Sequence, residues 1–191
     1  EGSPAGGEVV NALAVGRICP QKGYRYLGEA ISLLSREVRS RIRVSIAGEG
    51  DPKYTAELKK FIDELGVSDV ILFLGNRSDI PQLLTQSDLF LMSSEWEGLP
   101  IALIEATVTG LPCIVTDAGG CAEIIEMCGN GVVIEYGDAE AYACELRELI
   151  ENPSKRRKWS ENAVGNSEQL DIESSAQKHP ALYEELLGAR R

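Results

Sequence analysis

Along this chain, short apolar runs of strand length alternate with stretches of helical periodicity, in an order that repeats up to about residue 151. That alternation leaves few folds open. The strand candidates are 9–15 (VVNALAV), 42–47 (IRVSIA), 70–74 (VILFL), 88–92 (DLFLM), 113–116 (CIVT) and 131–136 (GVVIEY). They read as nearly continuous apolar segments, the pattern of a parallel sheet covered by helices on both faces. The helices expected between them span 23–36, 54–65, 79–86, 99–109, 120–127 and 139–151. In the first, Tyr26, Leu27, Ala30, Leu33 and Leu34 fall on one stripe facing the sheet, and Glu29 and Arg36 face water. Beyond Pro153 two polar helices are expected, about 154–166 and 173–188, with no further strand. The last carries Ala181, Leu182, Leu186 and Leu187 as an apolar face. The prediction is an α/β, Rossmann-like three-layer domain around a six-stranded parallel sheet, which binds ligands at the carboxyl ends of strands where the strand order reverses.

Charge and rare residues narrow the chemistry. The chain has 191 residues, with 19 Lys+Arg against 30 Asp+Glu and a net charge of −11, which disfavours nucleic acid or an anionic membrane as main partner. No apolar run reaches the roughly 18 residues of a transmembrane span, and residues 1–8 resemble a leader or linker, not a signal core. A cytoplasmic setting is expected. The five cysteines include no CxxC pair, and the single histidine, His179, cannot complete a usual zinc site with them. Chemistry must therefore rest on carboxylates, cations and backbone amides.

The informative residues should lie just after strands. The first strand runs into Gly16-Arg17-Ile18-Cys19-Pro20-Gln21-Lys22-Gly23, where two cations share a glycine-bounded loop. Such a loop suits a diphosphate, although two solvated loop cations would read the same way. It is not a Walker loop, and Gly48-Glu49-Gly50 is a weak match to a dinucleotide motif, since Lys53 occupies its third glycine position. After the fourth strand comes Ser93-Ser94-Glu95-Trp96-Glu97-Gly98-Leu99-Pro100, opening a helix that contains Glu105. Pro100 suits a first helical turn, and the amides of Gly98 and Leu99 can point at an anion. If both acids lay on one helix, Glu97 and Glu105 would stand roughly 12 Å apart along it and about 80° apart around it. Two acceptors so placed can grip two sugar rings; a helix-end acid plus a structural ion pair is the plainer alternative. Thr116-Asp117-Ala118-Gly119-Gly120 permits close backbone approach, or is a simple turn with Asp117 as helix cap. Asn76-Arg77-Ser78-Asp79 is either a capped helix start or the rim of a base pocket.

In combination and in order, these segments resemble the C-terminal, donor-binding half of retaining GT-B glycosyltransferases of family 4. The likeness rests on the GRxxPxKG loop, Phe73 to Gly75, Asp79-Ile80-Pro81, the Ser94 to Pro100 segment, the spaced Glu97/Glu105 pair and the Thr116 to Gly120 loop. The resemblance implies that 9–170 is a nucleotide-sugar domain, one half of a GT-B fold, and that 171–191 is a helix crossing back to an absent acceptor domain. It implies that Gly16, Arg17 and Lys22 meet the donor diphosphate, with Gly98 and Leu99 assisting. By the same resemblance Glu105 meets the ribose, Glu97 and Gly119 the transferred sugar, and Asn76 and Arg77 the base. Glu97, Arg17 and Lys22 would carry the catalysis. The implied partners are a UDP- or GDP-linked sugar and an acceptor glycan, lipid or small molecule held by the other domain, at the membrane's cytoplasmic face or in the cytoplasm. No metal or other cofactor is implied. The implied reaction is hexosyl transfer with retention; a silent nucleotide-sugar module and a nucleotide-sugar epimerase are the alternatives.

Overall fold

The structure, a computed structural model, describes residues 9–170; the leader at 1–8, the expected helix at 173–188 and His179 lie outside the described residues. The strands are β1 (Val10–Val15), β2 (Ile42–Ala47), β3 (Ile71–Gly75), β4 (Leu89–Met92), β5 (Cys113–Thr116) and β6 (Gly131–Ile134). They form one sheet in the order β3-β2-β1-β4-β5-β6, every neighbouring pair parallel. The order reverses between β1 and β4, so a crevice opens between the loops that follow those two strands.

Successive strand residues point to opposite faces, and each face has its own core. Ala12, Ala14, Val44, Ile46, Leu89, Leu91 and Ile114 enter one core, with α1 (Tyr24–Ser32), α2 (Arg36–Arg39), α3 (Pro52–Glu64) and α7 (Ala139–Glu151) packed over it. Leu13, Ala47, Phe90, Met92, Cys113 and Val115 enter the other, beneath α4 (Ile80–Thr85), α5 (Ile101–Val108) and α6 (Cys121–Cys128). This two-sided burial is why the strands read as apolar without alternation. A further helix, α8 (Pro153–Asn166), follows α7 after Asn152, whose side chain accepts from the Lys155 amide.

The first helix is shorter than its periodicity predicts. It ends at Ser32, and a separate turn, Arg36–Arg39, starts at Ser35, whose Oγ accepts from the Val38 amide. Tyr26, Leu27, Ala30 and Leu34 are buried as expected, but Leu33 falls at the helix end and is 55% exposed. β6 also stops at Ile134, two residues before the expected end.

Candidate functional site

The two loops at the switch point are joined to each other by backbone and side chains. Gly23 adopts φ +63°, and a Cβ there would lie 1.9 Å from the Ser93 carbonyl oxygen, so only glycine lets the start of α1 meet the end of β4. Ser93 Oγ donates to the Lys22 carbonyl at 2.8 Å, the Glu95 amide to the Gln21 carbonyl at 2.8 Å, and Gln21 Nε2 to the Trp96 carbonyl at 2.9 Å. On the other side, Gly48 and Gly50 press against the carbonyls of Gly16 and Ile18, which accounts for the Gly-Glu-Gly sequence as close backbone packing.

Between these loops lies a cleft of about 380 Å³ whose charged lining is Arg17, Lys22, Glu97 and Glu105. Residues 88 positions apart in sequence, Arg17 and Glu105, thus share one cavity. Lys22 Nζ donates to Glu97 Oε1 at 2.6 Å, and Ser94 Oγ donates to the same oxygen at 2.6 Å. Glu97 is nearly enclosed, its side chain 8% exposed against 17% for that of Lys22. Ser94 is itself buried and fixed through its carbonyl by Thr116 Oγ1 at 2.5 Å. Arg17 and Glu105, both exposed, form no side-chain hydrogen bond or ion pair with any described residue. Tyr24, buried beneath the loop, donates its hydroxyl to the Gly16 carbonyl at 3.1 Å; burial, then Cys19 and Glu97, push its phenol far up, so it stays neutral.

Glu97 precedes α5 and sits in a loop, so the helical spacing of Glu97 and Glu105 does not apply; the turn, not a helix face, brings both to the cleft. Pro100 is the residue before the helix, whose first turn begins at Ile101. Gly16 and Leu99 line the cleft, while Gly98, Gly119, Asn76 and Arg77 are not part of its lining. Gly119, at φ +57°, backs the site instead: a Cβ there would come within 2.4 Å of the Glu97 carbonyl oxygen. Asp117 caps no helix, since Gly120 occupies the position before α6. Arg77 pairs with Asp79, Nε to Oδ1 at 2.8 Å, and that hydrogen bond holds the Asp79 carboxyl below its usual range. Ser94, Gln21, Tyr24 and Thr116 had no assigned role from sequence; a polar residue at a strand's carboxyl end, as Ser94 and Thr116 are, was the signal available for two of them. Among the described residues no group of three or more His, Cys, Asp and Glu side chains is placed to hold a metal ion, and no helix is long and apolar enough to cross a membrane.

Residues 5–165 match the family model described as glycosyl transferases group 1. The chain belongs to this family. Among curated relatives it is 34% identical over 131 residues to the UDP-Gal:alpha-D-GlcNAc-diphosphoundecaprenol alpha-1,3-galactosyltransferase of Escherichia coli, a match covering 67% of this chain and 33% of that protein. It is 30% identical over 160 residues to the N-acetyl-alpha-D-glucosaminyl L-malate synthase of Bacillus anthracis, covering 83% and 41%. Among solved structures, Anabaena Alr3699/HepE in complex with UDP superposes with TM-score 0.82 at 26% identity, covering 93% of this chain and 49% of that one. WaaG, a glycosyltransferase involved in lipopolysaccharide biosynthesis, superposes with TM-score 0.81 at 27% identity, covering 90% and 46%. The chain therefore spans less than half the length of each of these relatives. Its fold is that of one Rossmann-like domain of a GT-B glycosyltransferase.

Proposed function

We propose that residues 9–170 form the donor-binding domain of a metal-independent glycosyltransferase that moves a hexosyl group from a UDP- or GDP-linked sugar to an acceptor, with retention of anomeric configuration. One observation carries the reading. At the switch point of a parallel sheet, a cleft presents an unpaired guanidinium, a lysine and two carboxylates drawn from two loops and a helix. Family membership supports it, as do the UDP-sugar named for the Escherichia coli relative and the UDP-glucose bound by HepE.

In this reading Arg17 and Lys22 hold the donor's diphosphate, and the amides of Gly98 and Leu99 ahead of α5 add partial positive charge. When the bond from the sugar's anomeric carbon to the phosphate oxygen breaks, its electron pair stays on the β-phosphate. The two cations stabilise that growing charge more than they stabilise the intact donor, which is what lowers the barrier. Glu105 accepts from the ribose hydroxyls and Glu97 from the sugar. The main chain near Asn76 and Arg77, after β3 at the same carboxyl end of the sheet, meets the base, and Gly119 shapes the sugar site by backing Glu97. The acceptor glycan, lipid or small molecule is held by a second domain, so residues 9–170 by themselves transfer sugar poorly. The cysteines, free thiols in this structure, suit a cytoplasmic setting.

The test is a thermal-shift titration with UDP, GDP and ADP, with and without EDTA. A ligand at 100 times its Kd adds about 2.7 kcal/mol, and each kcal/mol moves the midpoint of a domain this size by roughly 2 to 4 °C. A shift with one nucleotide that survives EDTA is expected. No shift with any of them removes the donor-domain reading.

A further inference from the structure

The cleft that would receive a diphosphate is electrically balanced before anything enters it. Its charged lining consists of Arg17 and Lys22 against Glu97 and Glu105, so the side-chain charges cancel. The balance is not diffuse, because one pair is closed: Lys22 Nζ and Glu97 Oε1 stand 2.6 Å apart, largely shielded from water. Oε1 already has a second donor in Ser94 Oγ, whereas Glu97 Oε2 has no partner among the described residues. Gly119 packs against the Glu97 carbonyl and Thr116 holds that of Ser94, so the main chain carrying the carboxylate is fixed from behind, and Ser94 Oγ holds the carboxylate itself.

Building on the donor-site reading above, we infer that Glu97 is a built-in rival of the diphosphate for Lys22, and that Ser94 is the positioning residue that keeps it there. A nucleoside diphosphate brings several negative charges to an ammonium already neutralised at contact distance, and it must share Lys22 with a carboxylate that repels it. An intact nucleotide sugar meets the same rival but brings hydroxyl donors for the vacant Oε2, which offset the repulsion. Glu97 thus weakens the free nucleotide product relative to the donor and favours its departure after transfer.

Isothermal titration of UDP, GDP and ADP into the wild-type chain and into Glu97→Gln tests this. Glutamine keeps the shape and removes the charge. The nucleotide that binds the wild type should bind Glu97→Gln about three- to tenfold more tightly, the range set by removing one partly buried charge contact. Ser94→Ala, which loosens the carboxylate without removing it, should tighten binding by a smaller factor, and serves as the second variant if Glu97→Gln does not fold. Unchanged or weaker nucleotide binding in the folded variants overturns the rivalry and leaves the donor site standing. If neither wild type nor variant binds any of the nucleotides, the donor reading falls and this inference with it.

Discussion

Arg17 and Glu105 are the two cleft residues whose charges no described neighbour answers, and they differ in what they would meet. A guanidinium offers a planar fork of donors suited to phosphate oxygens, whereas a carboxylate accepts hydroxyl protons and repels phosphate. Arg17→Ala should therefore weaken a nucleoside diphosphate and inorganic pyrophosphate alike, by roughly five- to thirtyfold if one charge-assisted contact of about 1 to 2 kcal/mol is lost. Glu105→Ala should weaken the nucleoside diphosphate and leave pyrophosphate unchanged or slightly tighter. Competition titrations with both ligands read the difference, and equal losses for both ligands in Glu105→Ala would remove its ribose role. Neither change should lower the melting temperature much, since both side chains are exposed and unpaired.

The site is held at the level of elements by the contact between the start of α1 and the end of β4. β1 and β4 are hydrogen-bonded neighbours, and Gly23 lets the loop after one touch the loop after the other. Gly23→Ala introduces both an unfavourable positive φ and a Cβ 1.9 Å from a backbone oxygen, so the two loops must separate. The expected cost is on the order of 2 to 4 kcal/mol in urea unfolding, with loss of nucleotide binding even where the domain remains folded. A fully stable Gly23→Ala protein with normal binding would show that the loop junction does not set the cleft. The same junction explains the corrected reading of Glu97: a turn closed by hydrogen bonds from Gln21 and Ser94 delivers its carboxylate, where the sequence spacing alone suggested a helix.

Over the whole molecule, burial places the aromatic side chains in a consistent electrostatic state. The phenols of Tyr24, Tyr26, Tyr54, Tyr136 and Tyr142 are all pushed up chiefly by burial, that of Tyr26 to about 12. Tyr26 packs against Tyr136 and Tyr142 at ring distances of 5.2 and 5.6 Å, so α1, α7 and the segment before α7 share this cluster. Folded values above the unfolded value of about 10 mean that the native state holds its protons longer. The associated stability is fully present below about pH 10 and is lost as pH rises through the folded values. Urea midpoints should fall as pH rises above about 10, and the ionisation of Tyr24, Tyr26 and Tyr142 should accompany unfolding; ionisation of these three at pH 10 in the native protein would contradict this. The layered fold was legible because periodicity is local: a run such as Cys113–Thr116 shows two-sided burial in its own residues, and the stripe of Tyr26, Leu27 and Ala30 shows one-sided burial in its own spacing. Local signals end at Leu33 and Pro100, where periodicity does not place the helix termini, because termini depend on how the chain is next held. The cations and carboxylates of the cleft could be named from sequence as residues following strands. The partners they take could not: Lys22 and Glu97 are 75 positions apart, and their ion pair exists only because packing on both faces places β1 beside β4. Side-chain type and local period are properties of neighbours in the chain, whereas strand order, the cleft's charge balance and the hold of Ser94 on Glu97 arise from neighbours in space.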